Sequence, residues 1–193
     1  TVETVASADA AVDRETPKVY DLTVEDTHNF LANGLVVHNS DDRSAMHEAL
    51  EQQSYHPETE VLLADGCRVE IGEFVDERMA EAEDVVDGVD CEIVPVEDAA
   101  VHSVDVDEGE TTKLPIDRVS RHEAPEKFVR VTFSNGREVT VTPEHPMFVA
   151  GEGIDTVEAR EMEAGAFVPA PRKLPNSSAA VELDGEPTRG KEK

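Results

Sequence analysis

Tryptophan is absent from this chain, cysteine occurs twice in 193 residues, and aromatic residues make up only 4%. Positive charge is scarce too: 17 Lys plus Arg stand against 44 Asp plus Glu, a formal net charge of -27. Cys67 and Cys91 have neither CxxC nor metal-ligand spacing. A disulfide framework and a zinc module are thereby excluded, leaving two reduced side chains of a cytoplasmic protein and no expected metal or other cofactor. Lack of a basic face excludes a surface that tracks phosphates, so no direct nucleic-acid contact is expected. No apolar run approaches the roughly 20 residues of a membrane span and no signal peptide is visible, so no membrane partner is expected either.

The acidic excess admits three readings: intrinsic disorder, an acidic binding surface, or adaptation to high salt. Val, Leu, Ile and Phe contribute 46 of 193 residues, above the roughly 20% below which a charged chain stays unfolded. The acids are spread along the chain rather than gathered in a tail, which disfavours a dedicated binding segment. Six lysines, no tryptophan and an apolar set dominated by Val and Ala favour salt adaptation, and a high-salt archaeal cytoplasm as the setting. Such a surface repels itself at low ionic strength. At about 1 M salt the Debye length falls to about 3 Å and the repulsion is largely screened.

Short alternating segments predict an all-β chain. Strands are expected over 19–22, 30–31, 35–37, 60–64, 67–71, 92–96, 101–106, 128–133, 137–142, 148–150 and 166–169. Asn33-Gly34 and Ser134-Asn135-Gly136 supply hairpin turns, because Asn and Gly tolerate positive φ. A short helix is expected from Gly72 to about Ala82, with Phe74, Val75 and Met79 inward, and another over 41–53. Segment 1–16 lacks a sustained apolar period and reads as flexible, 84–90 and 107–112 read as acidic loops, and 176–193 reads as a disordered tail.

The stretch from Val19 to Ser40, VYDLTVEDTHNFLANGLVVHNS, carries the most chemistry. An Asn before a hydroxyl residue can turn its side-chain amide on its own backbone carbonyl, form a succinimide and cut the chain, given a positioned acid. Further on, VTFSNGREVTVTPEHPMF contains a Thr-x-x-His pair, Thr142 and His145, after a hairpin. Together these segments resemble the intein family of protein-splicing domains. Residues 17–39 resemble the C-terminal intein half and 54–175 the N-terminal half, in reversed order. The resemblance implies a Hedgehog/intein (HINT) horseshoe of many short strands with one or two short helices, circularly permuted.

It also implies roles. Ser54 would attack the Gln53 carbonyl in an N-to-O acyl shift. Thr142 and His145 would polarise that scissile amide, with His145 protonating the departing amine. Ser40 would accept the acyl group and Asn39 would cyclise, helped by His38 and His28. Asp21, where the family carries Asp or Cys, would steer the branched intermediate. The domain would act once on its own chain, with no partner required, as a single-turnover autoprocessor and a monomer.

Residues 40–53 would be host sequence (extein), 41–53 resembling a minichromosome-maintenance replicative helicase. Two alternatives stay open: inactive halves that only pack as a structural module, and a domain-swapped dimer that pairs halves between chains. His47, His56, His102 and His122 have no motif support. The composition predicts that the fold tightens as salt rises. Melting temperature and NMR dispersion should both increase from low to multi-molar salt, and unchanged values would refute the reading.

Overall fold

Alternation of valine with polar residues produces short strands throughout. The computed structural model describes residues 1–39, 53–88 and 90–174. Among these the chain runs as β1 (Val2–Val12), β2 (Lys18–Thr23), β3 (Asn29–Ala32), β4 (Leu35–His38), β5 (Glu60–Leu62), β6 (Arg68–Glu70) and helix α1 (Ile71–Glu81). There follow β7 (Val86–Asp87), β8 (Cys91–Pro95), β9 (Ala100–Asp105), β10 (Glu110–Pro115), β11 (Arg118–Glu123) and β12 (Lys127–Phe133). The last strands are β13 (Glu138–Val141), β14 (Pro146–Ala150), β15 (Ile154–Glu158) and β16 (Phe167–Pro169), with a 3₁₀ turn at Ala159–Glu161. The helix expected over 41–53 and the tail 176–193 lie outside the described residues, Gln53 excepted.

The strands before residue 40 interleave with those after residue 53. β1 lies between β12 and β16, β2 pairs with β11, and β3 pairs with β5, all antiparallel. One apolar core therefore draws on both segments, with Leu22, Phe30 and Leu35 from the first and Val61, Ile71, Val131 and Val141 from the second. Burial of each such side chain is worth roughly 1.5–3 kcal/mol. Tyr55 forms isolated antiparallel bridges to Tyr20 on one side and Val141 on the other. It joins the β7–β8–β11–β2 array to the β13–β12–β1–β16 array.

Helix α1 packs Phe74, Val75 and Met79 inward, as expected. Its first turn presses on the loop before β5: a Cβ added to Gly72 would lie 2.6 Å from Pro57 Cβ. Tyr20 donates to Asp76 at 2.8 Å, and Arg121 spans Asp76 and Glu92, tying the helix to β2, β11 and β8. Both hairpin turns form, by different means. Asn33 and Gly34 both have positive φ (50° and 75°), whereas only Gly136 does so in the second turn (85°). Arg137 Nη1 donates to Gly34 O at 3.1 Å and Asn33 Nδ2 to Glu138 O at 2.7 Å, so the two tips lie together.

Three expectations fail for a common reason. Segment 1–16 is not flexible: eleven of its residues form β1. Of those, Val5 alone is fully buried, so the strand is held by backbone pairing on two sides rather than by an apolar face. Asp13, beyond the strand, accepts from the Thr16 hydroxyl at 2.6 Å and contacts His56 Nε2 at 3.1 Å. Glu110–Pro115, half assigned to a loop, is a strand on β9, and Val86–Asp87, inside the expected loop 84–90, is a strand on β8; polar β11 and β15 escaped notice altogether. Loss of β1 should leave an open edge on β12. Deleting residues 1–16 is expected to abolish the single cooperative thermal transition of the full chain. A truncated chain melting within a few degrees of full length would show β1 to be dispensable.

Candidate functional site

Thr142 and His145 are brought together by a tight turn. Pro143 fixes the φ that the second turn residue requires, and His145 N donates to Thr142 O at 3.1 Å. The carbonyl of His145 accepts from Ala159 N at 2.8 Å, anchoring the turn to the 3₁₀ segment. Ser54 docks on this turn as a one-residue strand would: its N–H donates to Thr142 Oγ1 at 3.1 Å and its carbonyl accepts from Thr142 N at 3.0 Å. Thr142 thus engages the nitrogen side of the Gln53–Ser54 amide. Ser54, Thr142 and His145 are all 0% exposed. The Ser54 Oγ has no hydrogen-bond partner among the described residues. A buried hydroxyl without an acceptor is costly to hold, and here it lies beside the Gln53–Ser54 amide.

The β3–β4 hairpin delivers His38 and Asn39. His28 has φ +51°, a left-handed conformation that costs a side-chain-bearing residue about 1–3 kcal/mol. It turns the His28 carbonyl onto Asn39, whose N–H donates to it at 3.0 Å. Asn29, wholly buried, stabilises that bend. Its Nδ2 donates to Thr27 O and Val104 O at 3.0 and 2.8 Å, and its Oδ1 accepts from Ser103 Oγ and Val104 N, both at 2.9 Å. The His38 ring packs against Phe148 with centroids 5.2 Å apart. Asn39 is 0% exposed.

Tyr55 connects the two halves of the site. Its hydroxyl donates a short hydrogen bond to the His38 carbonyl and lies 2.7 Å from His145 Nε2. Its ring packs edge-on against His145 (4.4 Å) and Phe30 (5.6 Å). The hydroxyl proton is committed to a carbonyl that can only accept, so the tyrosine oxygen must accept from His145. His145 is therefore the neutral tautomer with its proton on Nε2. Burial pushes the His145 pKa down from 6.5 to about 3, a nearby charge on His38 adding to this while backbone groups of His38 and Gln53 oppose it. Burial, then the charge of Asp21, raises the Tyr55 pKa well above its usual value. Asp21 is 1% exposed and accepts from Leu22 N at 2.8 Å.

Of the residues expected at the site, Ser54, Thr142, His145 and His38 are linked by these contacts, with Asn39 and His28 joined through the backbone and Asp21 beside Tyr55. Ser40 lies outside the described residues, as does His47. His56 lies elsewhere, with Asp13 and Thr16. Sequence reasoning missed Tyr55 and the Asn29–Ser103 network. Nothing local marks either: a tyrosine after a serine carries no pattern, and Ser103 is 74 residues from Asn29.

The intein splicing domain family model matches residues 61–182, more than half of the chain. The DNA polymerase II large subunit of Halobacterium salinarum is 37% identical over 155 residues, which cover 75% of this chain but 11% of that protein. The chain thus spans about a tenth of the length of that relative. The crystal structure of the PabCDC21-1 intein is 32% identical, with a TM-score of 0.57 over 61% of this chain and 72% of that one. That of the transcription factor IIB Mvu mini-intein is 24% identical, with a TM-score of 0.51 over 56% and 66% of the two chains, and shares the fold. The polymerase relative gives no support to the helicase host expected from residues 41–53. With the all-β architecture and the matched family model in agreement, this chain belongs to the intein splicing domain family.

Proposed function

We propose that the chain is a circularly permuted, salt-dependent mini-intein that excises residues 40–53 as a ring. The observation that carries this reading is the Tyr55 hydroxyl lying between the His38 carbonyl and His145 within one chain. Acyl transfer between Ser54 and Ser40 requires their junctions to be neighbours. In the reaction, the Ser54 Oγ proton passes to the free Nδ1 of His145 as the oxygen attacks the Gln53 carbonyl carbon. The resulting imidazolium is strongly acidic in this buried setting. It returns the proton to the Ser54 nitrogen as the C–N bond breaks, leaving a Gln53 ester on Ser54. Thr142 holds that nitrogen throughout.

Ser40 Oγ then attacks the ester and releases the Ser54 hydroxyl. Asn39 Nδ2 attacks its own carbonyl carbon, expelling the Ser40 amine with a proton from His38, while His28 fixes Asn39 from behind. The freed amine takes the acyl group from Ser40 Oγ, closing a head-to-tail amide. Asp21 helps keep the branched species in place. Residues 1–39 and 54–193 stay paired through the interleaved strands.

The host is inferred to act in DNA replication, on the likeness to the polymerase relative. A relative from Halobacterium salinarum supports the salt-adapted reading.

At multi-molar salt, mass spectrometry is expected to detect the ring of residues 40–53 together with residues 1–39 and 54–193. Ser54→Ala should abolish the ring, and Asn39→Ala should abolish it while leaving a hydroxylamine-sensitive ester of Gln53 on Ser54 or Ser40. An intact wild-type chain would favour the structural module, and a dimer by mass at high salt would favour exchange between protomers.

The His145 assignment makes a separate prediction about pH. The folded state holds this imidazole neutral down to about pH 3, whereas an unfolded one protonates near 6.5. Its contribution to stability is therefore complete above pH 6.5 and is lost as pH falls toward 3. The slope is about 1 kcal/mol per pH unit. The stability difference between wild type and His145→Asn should shrink over that window in denaturant titrations, and a pH-independent difference would contradict a buried neutral imidazole.

A further inference from the structure

We infer that Tyr55 is a positioning residue whose hydroxyl transmits the state of the Ser54 junction to Asn39. The inference rests on the self-excision reading above and adds a means of ordering its two cuts. The peptide unit between His38 and Asn39 is held at both ends: the Tyr55 hydroxyl donates to its carbonyl, and its N–H donates to the His28 carbonyl at 3.0 Å. Those two bonds set the plane from which the Asn39 side chain departs, and hence the approach of Nδ2 to its own carbonyl carbon. The same hydroxyl oxygen accepts from His145 Nε2 at 2.7 Å.

When His145 takes the Ser54 proton, its Nε2–H becomes the donor of a charged ring, and charge-assisted bonds are shorter and stronger. Drawing electron density from the tyrosine oxygen makes its O–H a better donor, because linked hydrogen bonds polarise one another. The grip on the His38 carbonyl therefore tightens as the first step proceeds. Location reinforces the link. Tyr55 is 0% exposed and is paired through its backbone to Tyr20 and Val141, leaving the hydroxyl little freedom to swing away. Burial, and after it the charge of Asp21, keeps the phenol protonated and so able to donate.

The test is a double-mutant cycle read at the C-terminal junction. Rates of Asn39–Ser40 cleavage at high salt are measured by mass for wild type, Tyr55→Phe, His145→Phe and the double variant. The phenylalanine rings preserve the packing. Each single change should slow cleavage within the roughly 5- to 150-fold range of coupling between sites, and the double variant should be no slower than either. Multiplicative losses, or an unaffected Tyr55→Phe, would overturn the link.

A second readout needs no cleavage. His145→Phe should move the ¹³C resonance of the His38 carbonyl further in a chain that keeps Tyr55 than in Tyr55→Phe. Equal movement in both backgrounds would overturn the proposal. If no variant cuts at either junction, the self-excision reading fails, while the carbonyl shift still decides whether Tyr55 couples the two ends.

Discussion

A single extended residue governs the geometry of this molecule. Tyr55 exchanges backbone hydrogen bonds with Tyr20, at 2.8 and 3.1 Å, and bridges Val141 on its other side. Because side chains alternate along an extended chain, that pairing settles where its neighbour goes. Ser54 arrives on Thr142, in a buried position that its own small side chain could never have secured. Shifting the pairing by one residue would turn the tyrosine hydroxyl away from His38 and His145. Thus the residue that unites the two strand arrays is also the one that holds His38 and His145 to a common hydroxyl.

Around that point the structure tolerates several unfavourable arrangements, and each is compensated nearby. The left-handed backbone of His28 is offset by the fully satisfied Asn29 network reaching β9. The buried imidazole of His145 is kept neutral and bonded to Tyr55. Burial gives the site a low dielectric, in which hydrogen bonds between aligned partners are strengthened. Acidic residues elsewhere, such as Glu92 and Asp76 against Arg121, serve packing of the helix and sheet.

Legibility followed the physical origin of each feature. Hairpins built on Asn33-Gly34 and on Ser134-Asn135-Gly136 were plain, since their turn chemistry is local. Helix α1 was plain because Phe74, Val75 and Met79 repeat at helical spacing. Thr142, His145, His38 and Asn39 were singled out through the resemblance to inteins. β1, β11 and β15 were not, because their residues are polar or small and are held by neighbours on the sheet instead of by an apolar stripe. Asn29 and Ser103 lie far apart in sequence and carry no mark of their hydrogen bond.

Residue types and local spacing were enough to establish an all-β chain, an acidic surface and the chemical capacities of Ser54, Asn39 and the histidines, because propensity, charge and nucleophilicity belong to individual residues and short windows. Which of those capacities meet was settled by pairing across the fold. Strands from 1–39 had to insert among strands from 54–174 before His38, Tyr55 and His145 could share hydrogen bonds. Long-range register is a property of the whole sheet and its core, and no short window of sequence contains it.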